Sequence, residues 1–195
     1  MSHASTDEQG RQVERFRSYL QVLARSLLDP RHDAKVDLSG VVQQTLWEAH
    51  RDWEKIRGLA EPQCTAWLRR ALRNNLIDEV RRRGGPQRGP LANELSLETA
   101  LDQSSCRLEA WLAADQSSPS QQAVRNEQVL QLAEALSMLP EDQRTAIELH
   151  DLQGLPLADI AEALKRSKGA IAQLLFRGHR KLAALLDRAV QGSDS

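Results

Sequence analysis

The stretch LADIAEALKRSKGAIAQLLFRGHRKLAALL, Leu157 to Leu186, consists of two helical runs around a short polar break at Lys165-Arg166-Ser167. The first run sets Ile160 and Leu164 on its inner side, with the small Ala161 where two helices would cross closely. The second carries Ile171, Leu175, Gly178, Leu182 and Leu186 along one line. Gln173, Arg177 and Arg180 are left facing outward, with Ser167 and Lys168 at the amino end. A helix, a short turn and a second helix form the pattern in which a recognition helix enters the DNA major groove. Between Lys165 and Arg188 seven bases stand against one acid, Asp187. A helical hairpin that binds no DNA has the same periodicity, so the rest of the chain must choose.

The chain has 195 residues, 41% hydrophobic and 27% charged, which is ordinary for a globular protein of one large or two small domains. Aromatics are only 4%, so the core must rest on Leu, Ala, Ile and Val. Leu, Ala, Gln, Glu and Arg dominate and β-branched runs are scarce, which predicts an all-α fold. The net charge of -1 argues, taken alone, against a nucleic-acid binder, but the charge is unevenly placed. Two cysteines, Cys64 and Cys106, form no CxxC pair, which fits a reducing compartment without a disulfide framework or structural zinc. The first thirty residues hold no apolar signal core, and no apolar run approaches membrane-spanning length. A cytoplasmic protein without membrane insertion is expected.

Residues 1–8 are polar and read as frayed. ERFRSYLQVLARSLL places Phe16, Leu20, Leu23 and Leu27 at helical spacing, with Pro30 ending the run. VDLSGVVQQTLWEAHRDW predicts a second helix, N-capped by Asp37 or Ser39, with Val42, Leu46 and Ala49 on its buried line. EKIRGLAEPQ reads as a loop punctuated by Gly58 and Pro62, and a third helix runs from about Thr65 to Arg83. GGPQRGP, Gly84 to Pro90, breaks the chain. Residues 91–118 hold five acids against one base, Arg107, so 84–118 reads as an acidic flexible tether with one or two weak helical turns. From Pro119 a helix carries Val124, Leu132, Leu136 and Leu139. Pro140 opens the next, EDQRTAIELHDLQ, which Gly154 stops. The last helix runs from Lys168 to about Ala189, followed by a tail, 189–195, expected to be disordered.

On the third helix Trp67, Leu68, Ala71, Leu72 and Leu76 gather on one side, at roughly 100° per residue. Arg69, Arg70, Arg73 and Arg81 fall in a separate arc of about 120°. Guanidinium groups fork onto phosphates and stack on unpaired bases, so this face suits single-stranded nucleic acid; a solvated helix face is the plainer alternative. Asn74, Asn75 and Asp78 add hydrogen-bonding groups beside the arginines. The pairs His32-Asp33 and His150-Asp151 invite a metal-dependent hydrolase reading, but the further ligands such a site needs are not apparent. No phosphate loop, nucleophile elbow or catalytic constellation appears, so no catalytic residue, metal site or cofactor is expected.

Three motifs in order, DLSGVVQQTLWEA (37–49), AWLRRALRNNLIDEVRRR (66–83) and the stretch from Leu139 to Leu186, resemble a bacterial RNA polymerase sigma factor of the extracytoplasmic-function (ECF) class. The third is the most specific: Leu139-Pro140, Arg144, Gly154, Ile160-Ala161, Ser167, Gly169, Arg177 and Lys181-Leu182 stand where the family places them. The resemblance covers roughly residues 10–83 and 119–187. It implies two small helical domains, a sigma region 2-like bundle over 1–83 and a sigma region 4-like helix-turn-helix over 119–188, joined by the 84–118 tether. It implies binding to core RNA polymerase, at its β′ clamp and β flap, and to promoter DNA. Clamp docking falls to Asp37, Val41, Val42, Gln43, Gln44 and Leu46. Capture of the -10 element falls to Trp53, Arg57, Arg69, Arg70, Arg73, Asn74, Asp78 and Arg81. The -35 element falls to Arg166, Ser167, Lys168, Ala170, Gln173, Leu174, Arg177, Arg180 and Lys181.

Departures from the family pattern are specific. Gly40 stands where an acidic residue is usual and Gln44 where Glu is usual, which weakens the charge of the docking surface. Lys165 replaces the customary turn glycine. Ala170, Gln173 and Leu174 replace a more usual Thr, Ser and Arg, so the -35 sequence read should differ from the common ones. An anti-sigma factor is a further partner the family implies, and nothing in the sequence identifies one. A polymerase-independent helix-turn-helix regulator and a sigma-like protein-interaction module are the alternatives.

Overall fold

A computed structural model describes residues 2–27, 36–82, 90–110 and 119–192. Among the described residues there are ten α-helices and one π-helical turn, and no strand. The helices are α1 (Ser2–Glu14), α2 (Arg17–Ser26), α3 (Leu38–Arg51), α4 (Trp53–Ile56) and α5 (Glu61–Arg82), then α6 (Pro90–Ala110) and α7 (Pro119–Ser137). After α8 (Glu141–Ile147) comes the π turn (Glu148–Leu152), then α9 (Leu157–Ala163) and α10 (Lys168–Gly192).

The all-α expectation is met, with local differences that have physical causes. The amino-terminal helix begins at Ser2 rather than after a frayed segment, and it breaks at Arg15-Phe16 before α2. The expected loop before the third helix is partly helical: Pro62 sits in the first turn of α5, where its missing N–H costs nothing. The helix after Pro140 closes through a π turn, in which the Gln153 N–H reaches the Glu148 carbonyl five residues back. Gly154 then takes φ +75, the left-handed conformation that a side chain resists, and releases the chain toward α9. The last helix continues past Ala189 to Gly192. Gly84 to Gly89, the ends of the expected tether, Pro30, Arg83 and His32-Asp33 lie outside the described residues, as does the Val124 side chain.

The tether differs most. Residues 90–110, expected to hold one or two weak turns, form the 21-residue helix α6. Leu101 and Leu108, two turns apart, are buried together with Ser104 and Ser105. An excess of acids over bases suggests a solvated segment. Its two leucines are enough to dock one face.

One continuous core runs through the molecule. Its centre is α2, where Tyr19, Leu20, Val22, Leu23, Ala24 and Ser26 are all buried. Helices α3, α5, α6 and α7 and the π turn pack around it, so the two halves of the chain share this helix. A buried ion pair crosses between them. Arg25 Nε on α2 donates to both carboxylate oxygens of Glu148, at 2.9 and 3.2 Å. Gln153 Nε2 also donates to the Arg25 carbonyl, at 3.4 Å.

Burial pushes the Glu148 carboxyl up from its ordinary value, while the Arg25 and Arg144 guanidiniums pull it back less strongly. A carboxyl raised in the fold contributes most while it is protonated. Its contribution is lost as pH rises from the ordinary carboxylate range through the raised value. Glu148→Gln is therefore expected to leave stability at neutral pH unchanged or higher. Arg25→Ala strands the buried carboxylate and should cost about 3–5 kcal/mol in urea unfolding. Equal losses from the two substitutions would contradict this account of the pair.

Candidate nucleic-acid interface

Each of the three sequence-predicted surfaces lies on a helix that gives one face to the core. On α3 the Asp37 side chain is the N-cap, accepting from the Gly40 N–H at 2.9 Å. This resolves the choice between Asp37 and Ser39. It also explains Gly40, where a Cβ would meet Asp37 Oδ2 at 2.5 Å. The space is filled by the capping carboxylate, so the negative charge at this end comes from Asp37.

Burial corrects the predicted docking set. Val41, Val42 and Leu46 are 4%, 1% and 3% exposed and belong to the core, so they cannot touch a partner directly. The outward line is Asp37, Gly40, Gln43, Gln44 and Trp47. Trp47, outside the expected docking set, stands on the same line. It is 53% exposed, with the Arg51 guanidinium 4.9 Å from its ring. The available signal was its place one turn beyond Gln43 and Gln44 on a face otherwise polar. Beside this line, Asp37, Gly40, Gln44, Glu48, Asn75 and Asp78 border a groove of about 480 Å³ between α3 and α5.

On α5, Leu68, Ala71, Leu72 and Leu76 are buried while Arg70, Asn74, Asp78 and Arg81 are exposed, as the helical period requires. Trp67 is only partly buried and packs against the core. Arg73 is half-buried and donates to the Asn74 side-chain oxygen at 3.4 Å. Arg57 is exposed near the α4 end. Two predicted residues are less available. Trp53 is half-buried and packs on the core, and Arg69 Nη1 donates to Ser105 Oγ of α6 at 2.9 Å.

The third surface is α9, the turn and α10. Ile160, Ala161, Ile171, Leu175, Gly178 and Leu182 are buried between the two helices and their neighbours. Ser167 caps α10, its Oγ accepting from the Ala170 N–H at 3.2 Å. Ser167, Lys168, Gln173, Arg177, Arg180 and Lys181 are exposed. Arg166 is exposed and paired with Asp142 at 2.6 Å. Ala170 and Leu174 are half-buried, and Leu174 packs against the core, so neither offers a full side-chain surface. Phe176, which the sequence reading did not select, is 68% exposed. By helical angle it lies on the same outward arc as Gln173 and Arg180.

The turn itself is a Schellman motif. The Arg166 N–H reaches the Ala161 carbonyl at 2.9 Å and the Lys165 N–H reaches Glu162 at 3.1 Å. Lys165 occupies the left-handed position at φ 53. The Asp151 carboxylate binds two imidazoles, His150 Nδ1 and His179 Nε2, each at 2.7 Å, and so ties the π turn to α10. Among the described residues no group of three or more His, Cys, Asp or Glu is arranged to hold a metal. Cys64 is buried and burial raises its thiol pKa, as for a packing residue.

A family profile described as sigma-70, region 4 matches residues 130–182, which include α8 to the middle of α10. A protein of Caulobacter vibrioides named ECF RNA polymerase sigma factor SigF is 30% identical over 156 residues, covering 78% of this chain and 73% of its own. The ECF RNA polymerase sigma-E factor of Haemophilus influenzae is 27% identical over 152 residues, covering 78% and 76%. A solved flagellar sigma/anti-sigma complex, Sigma-28/FlgM, aligns over 96% of this chain and 99% of its own at 14% identity, with a TM-score of 0.38.

Relieving the left-handed lysine should stabilise the turn. Lys165→Gly removes a backbone cost of about 1–2 kcal/mol and adds back part of it as unfolded-chain entropy. A net gain of up to about 1 kcal/mol is expected, read as a higher midpoint in urea. A loss of stability would mean that the lysine side chain makes contacts worth more than the strain.

Proposed function

The chain belongs to the ECF family of RNA polymerase sigma factors, which bind core RNA polymerase and direct promoter-specific transcription initiation, and we propose on that premise how its surfaces divide the work. The observation that carries the reading is the presence on one chain of two separate DNA-suited faces. One is the Arg70, Asn74, Arg81 face of α5, and the other is the Ser167-capped α10 with Gln173, Arg177 and Arg180 outward.

The α10 face reads the -35 element as duplex. The amino-terminal half of the helix enters the major groove, Gln173 offers an amide to a base edge, and Arg177, Arg180 and Lys181 hold phosphates. Phe176 supplies an apolar contact of the kind that meets a thymine methyl. Half-burial of Ala170 and Leu174 leaves Gln173 and Phe176 as the main sequence-reading groups. The α5 face takes the -10 element as unpaired strand. Arg70 and Arg73 stack on or fork around it, and Asn74 and Asp78 hydrogen-bond to base edges.

The outward line of α3 docks on the polymerase clamp. With Gly40 and Gln44 neutral, Trp47 becomes the anchor: a large exposed aromatic under a guanidinium is the residue type that concentrates binding energy at protein interfaces. The β flap takes the α8–α10 half. The protein works in the cytoplasm, where polymerase is; among the described residues no helix is long and apolar enough to cross a membrane. It supplies binding surfaces, and the polymerase supplies the chemistry. Each basic face alone binds DNA weakly, and polymerase raises the effective concentration of both at one promoter.

Run-off transcription with purified protein, core polymerase and a genomic promoter library tests the reading. Promoter-dependent transcripts are expected, and their absence, or promoter binding of equal affinity without polymerase, would defeat it. Arg70→Ala with Arg73→Ala should cut promoter opening at least tenfold while core binding changes less than twofold. Trp47→Ala should do the reverse, weakening core binding about tenfold or more.

A further inference from the structure

We propose that His179 is a proton-dependent phosphate contact of the -35 face: it grips the DNA backbone only when its ring is charged, so DNA binding by this chain is coupled to proton uptake. The inference rests on the sigma-factor reading of α10 and adds a residue which that reading does not use.

Three observations carry it. The first is a shared carboxylate. Asp151 Oδ1 lies 2.7 Å from His150 Nδ1, and Asp151 Oδ2 lies 2.7 Å from His179 Nε2. An ionised carboxylate only accepts, so both of those ring nitrogens carry the proton. The other nitrogen of each ring is then a lone pair in the neutral form and a second N–H donor in the charged form. A lone pair repels a phosphate oxygen, whereas a charged N–H binds it.

The second is position. His179 stands at the edge of the outward arc of α10, about 60° from Phe176 by helical angle. Its side chain is 46% exposed, against 13% for Asp151, so the carboxylate is the covered member of the pair and the imidazole the accessible one. The adjacent Gly178 lets α10 approach α8 closely, since a Cβ there would meet Ile147 Cδ1 at 2.7 Å. That approach holds Asp151 of the π turn against α10.

The third is charge. With both rings neutral the cluster carries one negative charge on the flank of a DNA-facing helix. One added proton cancels it, and a second makes the cluster positive. Imidazole is the side chain whose charge ordinarily changes between about pH 5 and 8. On α10 the residues a turn from His179, namely Leu175, Phe176, Leu182 and Ala183, are uncharged. Charges on the neighbouring elements are matched elsewhere. Glu148 pairs with Arg25 of α2, with Arg144 of α8 acting on the same carboxyl. Asp142 of α8 pairs with Arg166, Glu127 of α7 with Arg15, and Arg107 of α6 donates to the Leu152 carbonyl. Glu134 of α7, Glu141 of α8, and Asp159 and Glu162 of α9 are exposed.

The test measures the full-length chain binding a random-sequence DNA duplex of about 20 base pairs, at fixed ionic strength, by fluorescence anisotropy; a phosphate contact is independent of sequence, so no promoter need be known. Wild-type affinity is expected to rise at least threefold from about pH 7.5 to about pH 6, and the slope of log K against log salt to steepen by about 0.9, as for one added phosphate contact. His179→Gln should abolish both changes. His179→Lys, charged throughout, should bind at the higher pH as tightly as the wild type binds at the lower. Affinity and salt slope that change as much in His179→Gln as in the wild type would overturn the proposal. The His179 Cε1–H resonance of isotope-labelled wild type gives an answer without any substitution. Duplex DNA should move the midpoint of its titration to a pH at least about 0.5 higher, the equivalent of the threefold gain. An unmoved midpoint would sink the contact even if the variants failed to fold. Failure of run-off transcription at every pH would instead defeat the sigma reading, while the binding measurements still decide the role of His179.

Discussion

Helix α2 is covered on almost every side: none of its ten residues is exposed, and the rest of the molecule is arranged around it. A helix of ten residues with Tyr19, Leu20, Val22, Leu23, Ala24 and Ser26 all buried cannot be satisfied by a single neighbour. Its cover comes from α3 and α5 in its own half, and from α6, α7 and the π turn beyond. A bundle limited to the first half would leave one side of α2 in water. That constraint brings the two halves of the chain onto one continuous core.

The candidate surfaces are what remains after that core is filled. Helices α3, α5 and α10 each spend their apolar line inward, so their outward residues are polar by the geometry of the helical period. This explains how a chain with a net charge of -1 can present two basic faces. Most of the compensating acids lie elsewhere, though Asp78 stands on the α5 face near Arg81 and Asp142 pairs with Arg166 beside α10. Packing also fixes Arg69, whose guanidinium hydrogen-bonds to Ser105 of α6.

Much of the fold was legible because helical periodicity is local. The helix-turn-helix, its inward line of Ile171, Leu175, Gly178 and Leu182, and the turn at Lys165 followed from spacing alone. The candidate site was legible in outline and less so by residue. Val41, Val42 and Leu46 sit inside the stretch expected to dock yet are buried, because a motif marks a helix and only packing says which side faces out. Trp47 and Phe176 are exposed although aromatic, because the apolar places on their helices are filled by aliphatic residues.

The amino-acid sequence by itself determined the all-α class, most of the helices, the Arg-lined arc of α5 and the family. Each depends on residues close together in the chain or on a linear pattern. Only the tertiary structure decided that 90–110 is a docked helix. It also paired Arg25 with Glu148, 123 residues away, and turned Arg69 toward α6. Those outcomes depend on which apolar faces meet, and the cover that α2 demands comes from helices far along the chain.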